Sequence, residues 1–171
     1  MLHMYLMVVR LRCLDLNATR AWQKQLEEHF FWDAEARMDV KHAVTSASVR
    51  QRYLKDLFLQ WRGALLSYDE GLVRGDAVLA AAAWRNVFAA RPDVDVRHLA
   101  AVVAWMRRVL RDLDRTPDAD LQERLHEAFR SSPDGLLPLV DEPTKELEAF
   151  EAAVRAAEAE KPKKPAGSRF S

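Results

Sequence analysis

DAVLAAAAWRNVFAA, residues 76–90, decides the fold class. Asp76 follows Gly75 and carries a side chain suited to capping a helix start. Beyond it the stretch is apolar on every side, through Val78, Leu79, the alanines 80–83, Trp84, Val87 and Phe88. A helix that is apolar all round is normally buried all round, and alanines let neighbouring helices approach closely. The stretch therefore predicts the central post of an all-α bundle, running 76–90, with Trp84 as part of its packing. Arg85 breaks the pattern. A buried guanidinium without a partner is costly, so Arg85 predicts a bond to Asp69 or Glu70 in the upstream stretch Tyr68-Asp69-Glu70-Gly71, with Gly71 ending the preceding helix.

Upstream of that post, MLHMYLMVV opens the chain without a cap, and it reads as a core helix over residues 1–14 entered in mid-stride, as in a piece of a longer protein. Its stripe is Leu2, Leu6, Val9 and Cys13. The run is too short to span a bilayer and lacks the basic start and small-residue cleavage site of a signal peptide. A second helix is predicted from about Ala18 to Val40, capped by Asn17 or Thr19, with Trp22, Leu26, Phe30, Ala34 and Met38 at helical spacing. A third ends near Ser67 and carries Val49, Tyr53, Leu57, Trp61 and Leu65. Downstream, Asp93 or Asp95 caps a fifth helix that turns Leu99, Val102, Val103, Met106, Val109, Leu110 and Leu113 inward. No stretch alternates with the period of a strand. The reading is a single compact bundle of about five core helices over 1–115, and a C-terminal helical extension over 116–160 with a Pro/Gly linker. A disordered tail follows over 161–171. Within the extension, Thr116-Pro117 opens a short helix to Phe129, residues 131–144 form a loop, and the Glu/Ala-rich segment 144–160 forms a weakly docked helix.

The 171 residues balance 26 basic against 26 acidic side chains. Residues 1–115 hold 18 Lys/Arg and 14 Asp/Glu, so the remainder holds 8 and 12, a mildly basic body before a mildly acidic end. Neither value implies nucleic-acid binding by itself. One cysteine excludes an internal disulfide and a CxxC site. No glycine elbow surrounds a serine, no phosphate-cradling loop is present, and Cys13 on an apolar stripe reads as inert core. No catalytic set emerges, and no cofactor site.

Three further features bear on function. A carboxylate stands three residues before a histidine at Asp39/His42, Asp95/His98 and Glu123/His126. Such pairs hold metals in some helical bundles, which leaves a carboxylate/His metal-binding enzyme as the alternative, although surface ion pairing is the simpler account. The predicted fifth helix has a basic face, Arg97, Arg107, Arg108, Arg111 and Arg115, interrupted by Asp112 and Asp114; it is a solvated face or an RNA contact. In His29-Phe30-Phe31-Trp32, successive side chains lie about 100° apart on a helix, so not all three aromatics can face one core. Trp32 is the interface candidate.

Together, HFFWDAEARM (29–38), YDEGLV (68–73), LAAAAWRNVF (79–88) and the spacing from Asp95-x-Arg97-His98-Leu99 through Trp105-Met106-Arg107 to Leu113-Asp114 resemble the ubiquinol–cytochrome c chaperones, mitochondrial assembly factors of respiratory complex III. The resemblance covers about residues 1–115. It implies an all-helical, non-enzymatic chaperone, peripheral to the inner membrane on its matrix side. It further implies a small partner protein, proximity to the mitochondrial ribosome, and newly synthesised cytochrome b as client. It also implies that longer members begin upstream with a transit peptide and further helices. On this reading Trp32, Tyr68, Asp69, Glu70, Arg107 and Arg111 are the candidate partner or client contacts, and Arg85, Trp84 and Gly71 are structural.

Overall fold

The computed structural model describes residues 1–143, 145, 148–149 and 152–155. The expected helix over 144–160 lies largely outside the described residues, and the expected tail over 161–171 entirely so. The described elements are helical, as the periodicity requires. They are α1 (Leu2–Leu11), α2 (Leu16–His42), α3 (Ala47–Arg74), α4 (Asp76–Asn86), α5 (Val96–Arg115), α6 (Leu121–Arg124) with a 3-10 turn on either side, and α7 (Leu137–Asp141) after a 3-10 turn over Pro133–Leu136. The chain divides into two compact units, Met1–Leu137 and Pro138–Ser171. The second unit carries exposed helical residues 152–155. The first holds the core.

That core is organised on α5 rather than on the alanine-rich helix. α5 packs against α1, α4 and the turns that follow it, and it buries Val102, Val103, Trp105, Met106, Val109 and Leu113. Its start is capped by Asp95, whose carboxylate accepts from the Arg97 amide. α1 contributes Met4, Tyr5, Leu6, Val8 and Leu11. Cys13 lies beyond its end and is exposed, not on a buried stripe. α4 is shorter than expected, ending at Asn86, and buries only Leu79, Ala82 and Ala83. A row of methyl groups makes a helix apolar without making it central: Ala77 is exposed, and Ala80 and Ala81 are half-buried.

α3 runs on past Ser67 to Arg74, so Tyr68-Asp69-Glu70-Gly71 is helix and not a turn. The chain reverses at Gly75, where φ is +112°, a conformation that L side chains rarely adopt. Gly71 has a different reason to be glycine. A Cβ there would lie 2.6 Å from Leu79 Cα, so α3 and α4 meet backbone to backbone at this point. α2 is capped by Asp15, which accepts from the Asn17 and Ala18 amides. The hydroxyl of Thr19 instead donates to the Leu11 and Leu14 carbonyls. The segment after α5 belongs to the first unit: Leu121, Ala128 and Leu136 are buried, and the Trp105 indole donates to the Ser131 carbonyl at 2.7 Å. The short helix expected up to Phe129 is there as α6 and its flanking turns, and a 3-10 turn over Pro133–Leu136 stands within the stretch expected as a loop.

Candidate interaction surfaces

Between Leu11 and Trp61 no residue is fully buried. α2 and the first half of α3 therefore form a two-helix arm, with α2 alone about 40 Å long at 1.5 Å per residue. Its inner seam is aromatic. Phe30 and Phe31 meet edge to face at 5.2 Å, and Phe31 meets Phe58 at 5.8 Å. At the base the Trp61 indole donates to Glu27. At the tip Arg50 donates to the Val44 and Thr45 carbonyls at 2.9 Å each and pairs with Glu35 and Asp39 at 3.5 and 3.7 Å. Outside the seam, Trp32 is 71% exposed. Val40 on the same helix and Val49, Tyr53 and Leu59 on α3 are exposed with it.

A second concavity, of about 500 Å³, lies where α1, α2 and α6 converge. Met7, Leu11, Trp22, Leu26, Leu121 and Leu125 supply its apolar walls. Arg10 stands in its lining with Asp118. Only 7% exposed, Arg10 is a buried charge of the core, engaged through its Nε and one terminal nitrogen. It donates to the Leu113 and Thr116 carbonyls at 2.9 Å each and pairs with Asp118. One side chain of α1 thus closes the end of α5 and ties down the segment that follows.

The expected Arg85 pairing is replaced by a different one. Arg85 is exposed. Asp69 instead accepts from the Tyr5 hydroxyl at 3.0 Å and receives both prongs of Arg12, at 2.7 and 3.1 Å. Glu70 pairs with Arg74 one turn on. The expected burial of Arg85 follows only from burial of α4 on every side, and α4 is open to solvent at that residue. Burial, the charge of Asp69 and the hydrogen bond to it hold the Tyr5 phenol well above its ordinary range. The bond to Asp69 raises Arg12 in turn. Tyr68 is a core ring 1% exposed, tilted against Tyr5 at 4.9 Å, with its phenol pushed up to about 12 by burial. As a core ring it is not a surface contact.

Trp84 is half-buried, and its indole donates to the Arg91 carbonyl, fastening the α4–α5 connection. On α5, Arg107 donates twice to Asp76, so that carboxylate joins α4 to α5 instead of capping its own helix. Arg108, Arg111 and Arg115 remain on the surface. Among the expected carboxylate–histidine pairs, Asp95 is a cap, Asp39 faces Arg50, and His42, His98 and His126 are exposed. Among the described residues no group of three or more His, Cys, Asp or Glu side chains is arranged to hold a metal ion, and no helix is long and apolar enough to cross a membrane. Reading the sequence alone missed Tyr5, Arg10 and Arg12. A basic side chain inside an apolar run was the available signal for Arg10.

The family model described as ubiquinol-cytochrome C chaperone matches residues 1–126, α1 into the segment after α5. The chain belongs to that family. Among its relatives, this chaperone-family member is 37% identical to Protein CBP3, mitochondrial, of Saccharomyces cerevisiae over 119 residues, which is 70% of this chain and 36% of that one. It is 29% identical to ubiquinol-cytochrome c reductase complex assembly factor 1 of Homo sapiens over 125 residues, 71% of this chain and 39% of that one. The corresponding Xenopus laevis protein is 29% identical over 122 residues, 70% of this chain and 58% of that one. The family member therefore spans between about a third and three fifths of these relatives. No solved structure matches it significantly.

Proposed function

We propose that this chaperone-family protein is a non-enzymatic assembly factor of the ubiquinol–cytochrome c reductase complex, and that it shelters newly made cytochrome b together with a small partner protein. The family match over residues 1–126 carries the reading. The names of its relatives point to mitochondria and to that complex. The exposed apolar arm of α2 and α3, with Trp32 on its outer side, and the apolar concavity beside Arg10 suit a protein that covers hydrophobic segments of an unassembled subunit. Its place is the matrix side of the inner membrane, peripheral to the bilayer. The basic stripe of Arg108, Arg111 and Arg115 is its contact with the mitochondrial ribosome. Arg107 supports that stripe from its pairing with Asp76.

Crosslinking in mitochondria followed by pull-down tests the reading. Recovery of cytochrome b with a small protein is expected. Their absence, or stoichiometric iron, manganese or zinc in the purified protein, would overturn it in favour of a metal-binding bundle. For the ribosome, Arg108→Glu with Arg111→Glu is expected to abolish co-sedimentation and leave the thermal midpoint in place, and wild-type binding is expected to weaken steeply with salt.

A further inference from the structure

The face of α3 turned away from the core carries its own pattern. Trp61, Ala64, Tyr68 and Gly71 define the buried side. At about 100° per residue, the opposite side holds Leu59, Gly63, Leu66, Glu70 and Val73. Leu59, Leu66 and Val73 recur at seven-residue spacing and are 58%, 73% and 87% exposed. Three large aliphatic side chains, on an element whose other face is already packed, fill one position of a heptad row, with Gly63 and Glu70 alternating between them. That spacing suits one kind of partner surface, another α-helix. Gly63 lies inside the row, and a Cβ built there meets nothing within 4 Å. The seam thus has a notch at its middle where a second helix can come close.

Charge specifies the occupant further. Arg52 and Lys55 continue the row beyond Leu59, and both are exposed. Arg62 flanks it, also exposed, its guanidinium 6.0 Å from the centre of the Phe58 ring. Asp56 is the one acid among them. At the other end Glu70 is neutralised by Arg74. The row is therefore apolar at Leu59, Leu66 and Val73, interrupted by the Glu70–Arg74 pair, and basic at its Leu59 end.

We propose that this face of α3 is the seat of an amphipathic helix from a partner protein, with an apolar heptad stripe and acidic flanks beside Arg52, Lys55 and Arg62. The contact shares Leu59 and its basic end with the arm and runs on along the second half of α3, and it stands whether or not cytochrome b is the client. Seam residues interdigitate, Gly63 admits the closest approach, and the basic end fixes the direction of the bound helix.

The probe is a fluorescent synthetic peptide of about 20 residues with an apolar heptad seam and glutamates on its flanks, which repel one another and keep the peptide from pairing with itself. Anisotropy with the full chain is expected to saturate and to weaken with salt. Leu66→Glu and the pair Arg52→Glu with Lys55→Glu should each weaken binding about tenfold or more, and Trp32→Ala should leave it unchanged. Gly63→Ala is the decisive variant. Alanine in an exposed helix interior favours folding, so its thermal midpoint is expected to hold or rise while peptide affinity falls. Four results would overturn the proposal: no saturable binding, equal affinity for a lysine-flanked peptide, wild-type binding by Leu66→Glu, or a Gly63→Ala protein that binds undiminished. A dimer in analytical ultracentrifugation that Leu66→Glu dissociates would assign the face to a second copy instead. Retention on anionic phospholipid vesicles without peptide binding would assign it to a membrane.

Discussion

At the scale of single residues, Gly71 and Arg10 show how much of the fold rests on one atom or one charge. Gly71→Ala places a methyl carbon 2.6 Å from Leu79 Cα and 2.9 Å from Leu79 N. Backbone cannot rotate away as a side chain can, so α3 and α4 must separate. A cost of about 1–3 kcal/mol, typical of overpacking, is expected in urea denaturation, and an unchanged midpoint would mean that the two helices are not in contact there. Arg10→Ala removes the donor from the Leu113 and Thr116 carbonyls. Its expected cost is about 2–3 kcal/mol, that of leaving a buried acceptor unpaired, with Arg10→Lys recovering part because an ammonium lacks the planar fork. The α4–α5 connection stores strain of the opposite kind. Ala89 and Ala90 both sit at positive φ, +53° and +55°. Their change to glycine relieves roughly 1–2 kcal/mol of steric cost at each position, less part of that in chain entropy, so the double variant should melt higher than the wild type.

At the scale of elements, burial differs along the chain in a way that exchange measurements resolve. Amide exchange is expected to be faster across the arm, residues 30–58, than across α5, because the arm has no buried side chain and α5 has seven. Equal protection would show that the arm is held by contacts other than those described. Ala82 and Ala83 are both fully buried, so Ala82→Leu or Ala83→Leu should cost about 1–3 kcal/mol. Both alanines belong to the hydrophobic core. Periodicity of 3.6 made the helices legible, and the acids Asp93 and Asp95 marked the start of α5, where Asp95 is the cap, because both signals are local. The mistakes came from features that local pattern does not encode. An alanine run gives no direction to burial: α4 buries only Leu79, Ala82 and Ala83 and leaves Arg85 exposed. The Asp69 pairing joins residues 57 and 64 positions apart, which no periodicity announces. Of the candidate contacts, Trp32 was legible as surface because three aromatics in a row cannot share one face. Tyr68 lies beyond the expected helix end near Ser67, yet α3 continues to Arg74 and buries it.

At the scale of the whole molecule, the buried tyrosines couple stability to alkaline pH. Tyr5 and Tyr68 pack ring to ring where α1 meets α3. Burial is the largest cause holding each phenol above its ordinary value, with the charge of Asp69 adding to it at Tyr5. A phenol whose folded pKa exceeds its unfolded one binds its proton more tightly in the native state. Its contribution is fully present below the unfolded value of 10.0, and for Tyr68 it is lost as pH rises toward the folded value of about 12. Each unit of separation corresponds to about 1.4 kcal/mol, so the decline is steep enough to measure. Thermal midpoints should fall between about pH 10 and 12, with phenolate absorbance appearing as the near-ultraviolet signal of packed aromatics disappears. Lysines also titrate in that range, and Tyr68→Phe separates the two causes: it keeps the ring against Tyr5 and removes the ionisable group. The variant is expected to lose stability less steeply with pH than the wild type. Parallel curves for the two proteins would show that the alkaline transition belongs to other groups and that Tyr68 is packed without being protected from ionisation.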